Sequence, residues 1–200
     1  MDITERQKEI ITAGGKIITE RGISALTIKN LAAEMGFVES ALYRHFRSKE
    51  DVIILMIRYL YINVKKNMDT IITSDKSPLD KLKRIAESNF TFLQAHKHFA
   101  IVMLAEGLMD ESEKIRAEVY NLISYLLSKT LQVISQCIAQ NEIKSCLDPE
   151  TIMHFYVGGI RLLVFKWKMM RFSTDLVQEG NRLFSDFINL ISTKNESSYV

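Results

Sequence analysis

Residues 27–47 read TIKNLAAEMGFVESALYRHFR, and the spacing inside this stretch decides the fold. Two short helices, over about 28–35 and 39–45, flank Gly36-Phe37-Val38. Ala32 is the small residue that lets the two helices approach. Four residues on, Gly36 supplies the positive φ that a tight turn requires. Leu31, Phe37, Val38, Leu42 and Phe46 are expected to form a small core under the second helix. That arrangement frees Glu39, Ser40, Ala41, Tyr43, Arg44 and His45 to face outward. This is the pattern of a helix-turn-helix, whose second helix fits a major groove about 12 Å wide.

The charges around it agree. From Tyr43 to Lys49 the chain carries Arg44, His45, Arg47 and Lys49 with no acid between them. Cations and a phenolic hydroxyl there suit phosphate oxygens, contacts that position a protein on a duplex without reading its sequence. Thr27 opens a helix N-terminus, a second anchor for an anion. Glu39 has two readings: it can favour the dipole at the start of the second helix, or accept from a cytosine amino group.

Working outward, the chain announces helix after helix. Thr4 with Gln7, Ser48 with Asp51 and Ser77-Pro78 with Asp80 resemble capping boxes, and Asp148-Pro149-Glu150 pairs an N-cap with proline at N1. Helices are expected over 4–21, 28–35, 39–45, 49–70, 78–95, 98–108, 112–141, 149–171 and 175–192, nine in all. Two prolines and eight glycines in 200 residues leave few breaks, and no strand-like alternation appears. The fold class is therefore all-α: a three-helix, DNA-binding head over 1–47 and a helical body over 48–200. Gly14 and Gly15 inside the first helix each cost about 1 kcal/mol relative to alanine, which predicts close packing of another helix there.

Composition narrows the classes further. Apolar residues make up 47% and charged residues 25%, ordinary for a soluble globular chain. A formal charge of +2 means that any nucleic-acid contact comes from a local patch. No unbroken apolar run reaches membrane length, and the charged start MDITERQKE has no secretory core, so no membrane partner is expected. Cys137 and Cys146 form neither a disulfide framework nor a zinc signature, and a cytoplasmic setting is the expectation.

From about Ile10 to Val52 the chain resembles the DNA-binding region of the TetR (AcrR-like) regulators. Gly22, Thr27, Ile28, Leu31, Ala32, Gly36, Val38, Leu42, Tyr43, His45, Phe46, Ser48, Lys49 and Glu50 carry the match, with LYRHFRSKEDV its most specific string. The resemblance implies that Thr27, Tyr43, His45 and Lys49 contact phosphates and that Ser40, Ala41 and Arg44 sit near base edges. Lys29 and Glu39 complete the expected DNA-binding set. It also implies a dimer built from the last two long helices, reading a roughly palindromic operator in double-stranded DNA.

The C-terminal helices support a homodimer independently. Apolar residues wrap almost the whole circumference of 149–171, and 175–192 carries a broad apolar stripe. Helices apolar on several sides need cover on several sides. Gly158, Gly159, Gly180, Phe184, Phe187 and Ile191 are the expected interface. The middle of the chain is rich in aromatic and methionine side chains, which read either as plain core or, by the resemblance, as a pocket lining. Phe90, Leu93, Met103, Glu106, Tyr120, Phe155 and Leu162 are the candidates for a small-molecule effector, apolar or amphipathic; Glu106 equally suits solvent.

Other chemistry is not expected. His96 and His98 stand two apart and do not share a helix face, so no metal is assigned. Arg161, Lys166, Lys168 and Arg171 around Trp167 read as basic side chains snorkelling from a dimer helix. No Ser-His-Asp order, HExxH, Walker loop or paired-carboxylate motif occurs, which predicts no enzyme and no cofactor. The expected function is a DNA-binding transcriptional regulator, a repressor released by its ligand. The alternative is an architectural or partner-controlled regulator of the same fold with no small-molecule ligand.

Overall fold

The computed structural model describes residues 3–144, 146 and 148–193, and among these every named element is helical. Ten α-helices occur: α1 (Glu5–Arg21), α2 (Ile28–Met35), α3 (Glu39–Tyr43), α4 (Lys49–Ile72), α5 (Pro78–Ala95), α6 (Lys97–Met103), α7 (Glu106–Glu111), α8 (Glu113–Ala139), α9 (Pro149–Met169) and α10 (Leu176–Ile191). A single 3-10 turn, Ile23–Ala25, joins α1 to α2.

The helix starts follow local chemistry. Thr4 and Gln7 form a complete capping box on α1. Thr27 Oγ1 accepts from Asn30 N at 3.0 Å, and Asp148 accepts from Thr151 N with Pro149 at the first helical position. Each such cap is worth about 1 kcal/mol. At the start of α4, Asp51 Oδ2 accepts from Arg47 N at 2.7 Å and so closes the α3–α4 turn.

Two expectations need correction. The helix expected over 98–108 is two helices, which makes ten rather than nine. At 100° per residue, Leu108 on a continuous helix would point roughly opposite to Phe99. Leu104 and Ala105 leave the helical conformation (Ala105 φ −92°, ψ 77°), and Phe99, Val102 and Leu108 are all buried as a result. Val38 is not core. It caps α3 in an extended conformation and is 68% exposed.

Packing divides the chain into two compact units, Met1–Asn63 with His96–Leu122, and Val64–Ala95 with Ile123–Val200. In the first, Ile10, Ile17, Ile18, Leu26, Leu31, Met56 and Phe99 are buried. The two glycines of α1 differ in their surroundings. A Cβ on Gly14 would meet Leu26, Met56 and Val52 at 3.5–3.8 Å, ordinary contact, whereas one on Gly15 would stand 2.7 Å from His98.

In the second unit α10 packs on α5 through an aromatic cluster. Phe90 lies 5.5 Å from Phe184, and Tyr156 lies 4.9 Å from Phe184 edge-on. Gly180 makes room for the Phe90 ring: a Cβ there would stand 2.3 Å from it. The buried Tyr156 hydroxyl donates to Leu82 O at 2.7 Å, and burial raises its pKa. Fully burying rings such as Phe90 and Trp167 stabilises the unit by about 1.5–3 kcal/mol each. By length and mean hydropathy α8 alone among the described helices could cross a membrane; its Leu122, Val133, Ile134 and Cys137 are buried, and most of its apolar stretch is not.

Candidate nucleic-acid interface

α2 and α3 meet as the sequence predicts. Leu31, Ala32, Leu42 and Phe46 are buried between them, with Phe37 half-buried. Gly36 takes the left-handed conformation (φ 69°, ψ 31°), and Phe37 N donates to Ala32 O at 2.9 Å across the turn. A side chain at position 36 would cost about 1–2 kcal/mol for that conformation.

The turn presents the expected DNA-facing set to solvent. Thr27, Lys29, Glu39, Ser40, Tyr43, Arg44 and His45 are exposed, and Ala41 and Lys49 are half-buried. Thr27 spends its acceptor on capping α2 and keeps its O–H free to donate. Glu39 is the first residue of α3, whose N-cap Val38 makes no side-chain bond. Acidic neighbours are drawn away from the surface: Glu34 pairs with Lys16 of α1 at 2.7 Å, and Asp51 is held on Arg47 N. Arg44, His45 and Arg47, in the turn between α3 and α4, therefore face outward, with Glu39 the exposed acid at the start of α3.

Several contacts that hold this surface were not legible in the sequence. Arg6 of α1 lies over the Phe37 ring, 4.0 Å from its centroid. Ser112 Oγ donates to Glu50 Oε1 at 2.5 Å, Lys114 Nζ approaches Glu50 at 3.5 Å, and Arg58 pairs with Glu118 at 2.6 Å, so the start of α8 grips α4. Partners 60 residues apart leave no local pattern. Beside the turn, a cleft of about 500 Å³ is lined by His45, Arg47, Arg58 and Lys114 with Glu50 and Asp51.

The candidates in the body are shared between the two units. Met103, Glu106 and Tyr120 belong to the first unit, Phe90, Leu93, Phe155 and Leu162 to the second. Glu106 and Tyr120 are exposed, and Leu93 and Met103 are half-buried. Phe90 is sealed under Gly180, while Phe155 and Leu162 are 70% and 68% exposed on α9. The expected interface residues separate too. Gly180, Phe184 and Ile191 are buried within the protomer; Gly159 and Phe187 are half-buried; Gly158 is open, with no atom near an added Cβ.

What α9 exposes instead is a seam. Phe155, Gly158, Leu162, Phe165 and Met169 recur at alternating steps of three and four residues, all exposed. On α10, Leu183, Phe187 and Leu190 follow the same step, and Leu183 and Leu190 are exposed. Between the two helices runs an apolar groove of about 430 Å³ lined by Phe155, Gly159, Leu183, Phe187 and Leu190. That step is the signature of helices that pack on a partner helix.

Residues 10–56 match the family model described as bacterial regulatory proteins, tetR family, and residues 61–189 match the model of the YsiA-like protein, C-terminal region. The chain belongs to the TetR family. It is accordingly a DNA-binding transcriptional regulator with a helix-turn-helix and a helical C-terminal body. This TetR-family chain is 24% identical over 186 residues to the fatty acid metabolism regulator protein of Bacillus subtilis, covering 93% of this chain and 95% of that one. It is 29% identical over 123 residues to the HTH-type transcriptional regulator YerO of Bacillus subtilis; that match covers 60% of this chain and spans less than half, 42%, of YerO. Among solved structures, FadR of Bacillus subtilis in complex with stearoyl-CoA superposes with a TM-score of 0.78 at 23% identity, covering 92% of this chain and 98% of that one, a likeness of fold.

Proposed function

We propose that this regulator is a homodimeric repressor that leaves its operator on binding a small molecule with a long apolar chain, of the acyl-thioester class. The exposed α3 surface carries the DNA half of the reading. Tyr43, Arg44 and His45 are exposed and Lys49 is half-buried around the turn into α4, and head and body are proposed to divide between residues 47 and 48. Thr27, Tyr43, His45 and Lys49 hold phosphates, while Ser40, Ala41 and Arg44 lie at base edges with Lys29 and Glu39 beside them.

The seam on α9 and α10 supports the dimer. Exposed leucine, phenylalanine and methionine at heptad spacing are covered when a second copy supplies the same two helices, giving a four-helix bundle. Two heads then read two half-sites of one operator, in a cytoplasmic setting. The ligand class is supported by the relatives, one named for fatty acid metabolism and one solved with stearoyl-CoA. Release follows if the ligand binds the non-operator spacing of the heads more tightly than the operator spacing.

Selection from a random duplex pool tests the first half: a palindromic winner, bound with a steep salt dependence, is expected. Stearoyl-CoA titrated into that complex tests the second half and should release the DNA at micromolar concentration. DNA binding that survives saturating acyl-CoA and a wider effector screen would favour a regulator with no small-molecule ligand.

A further inference from the structure

Three consecutive residues of α1 each face a different helix. Gly14 lies against Val52 and Met56 of α4, and Lys16 Nζ pairs with Glu34 of α2 at 2.7 Å. Between them Gly15 receives the imidazole of His98 from α6: a Cβ at position 15 would stand 2.7 Å from Nδ1 and 2.8 Å from Cε1. Phe99 walls the ring at 4.2 Å, and Phe99 itself stacks on Tyr59 of α4 at 6.1 Å. Among the described residues His98 Nε2 is the buried side-chain polar atom left without a hydrogen-bond partner. Burial pushes the imidazole pKa down to about 4, so the ring is neutral at ordinary pH.

Two local costs coincide at this contact. Glycine in a helix interior disfavours the helix, and an unpaired ring nitrogen in a packed site gives up its hydration for nothing. Sequences that break local rules at one point tend to do so where a contact has a task. We infer that the seating of His98 on Gly15 sets the position of α1, and through it of the recognition helix, which makes His98 a positioning residue for operator binding. The route onward is short. Lys16 and Glu34 tie α1 to α2, and Arg6 over Phe37 ties α1 to the turn that precedes α3. A shift of α6 lifts the ring from Gly15 and is passed to the head through these ties. This inference rests on the operator-binding reading of the head.

The seat can be overfilled or emptied, and the two perturbations oppose each other. Full-length protein is titrated against its selected operator by fluorescence anisotropy, with the active fraction fixed by stoichiometric titration and the unfolding midpoint recorded. Gly15→Ala is expected to weaken operator binding at least tenfold while affinity for an unrelated duplex stays within threefold. A purely structural defect would lower the active fraction instead. In the double variant Gly15→Ala with His98→Ala the overfilling is relieved, and operator affinity should lie within threefold of His98→Ala alone. Gly15→Ala binding within twofold of wild type overturns the inference, as do effects that simply multiply in the double variant. Should Gly15→Ala fail to fold, the double variant decides: folded and binding like His98→Ala sustains the inference, and loss of operator binding beyond that overturns it. A wild-type protein that enriches no duplex overturns the operator reading itself, a result distinct from failure of the variants alone.

Discussion

The exposed faces of α3 and of α9 invite opposite partners. On α3 and the turn after it the residues left in water include Glu39, Ser40, Tyr43, Arg44 and His45, groups that are well solvated and cost little to expose. On α9 they are Phe155, Leu162, Phe165 and Met169, whose exposure forfeits the hydrophobic stabilisation that burial would bring. A polar face can wait for a polyanion, gaining from counterion release when it arrives. An apolar seam of this length demands a permanent cover. The difference teaches that exposure alone says little about a site; the chemistry left exposed tells a transient partner from a constitutive one.

The strongest test of that contrast is to charge the apolar seam. Leu162→Glu places two symmetry-related carboxylates in the proposed bundle, and the dimer should weaken at least a hundredfold by analytical ultracentrifugation, with operator binding lost in parallel. The protomer should stay folded, because Leu162 is exposed in it. A variant that remains dimeric would break the comparison.

Acid probes a group that belongs to neither face. His98 titrates near 4 when folded, against an ordinary 6.5, because burial and the charge on His96 disfavour its protonated form. As pH falls below about 6.5 the unfolded chain takes up the proton first, so stability declines until about pH 4 and then levels. The loss amounts to about 3 kcal/mol at most. It is fully recovered above about pH 6.5. Denaturant titrations at pH 7.5, 5.5 and 4.5 should show this decline, and His98→Ala should flatten it.

Two glycine substitutions sharpen the line between core and seam. Gly180→Ala drives a methyl into the Phe90 ring and should cost about 1–3 kcal/mol in thermal or chemical unfolding. Gly158→Ala meets nothing in the protomer and should leave its stability level or raised by about 1 kcal/mol, any penalty falling on dimer affinity. The smallest effect belongs to the polar face. Lys49→Ala should weaken binding to all duplexes alike and lower the salt slope of operator binding by about 1.

Much of the head was readable from neighbouring residues. Gly36, Ala32 and the caps at Thr4, Thr27 and Asp148 act over three or four positions, so their partners stand next to them in the chain. The outward residues of α3 followed from that turn. Val38 was misread because an apolar residue beside a turn looks like core, whereas its capping conformation leaves it in water. The body was less legible. Apolar residues all round α9 indicated burial on several sides, but not that Tyr156, Leu163 and Trp167 face the protomer while Phe155, Leu162 and Met169 face away.

The amino-acid sequence by itself determined an all-helical chain, the helix-turn-helix and the helix starts, because short-range sterics and capping bonds depend only on residues a turn apart. Tertiary structure decided the break between α6 and α7, the ring that fills Gly15, the ring that fills Gly180 and the inward or outward sense of α9. Those outcomes depend on which side chains meet across dozens of residues, and close packing admits only one arrangement of volumes at each meeting point.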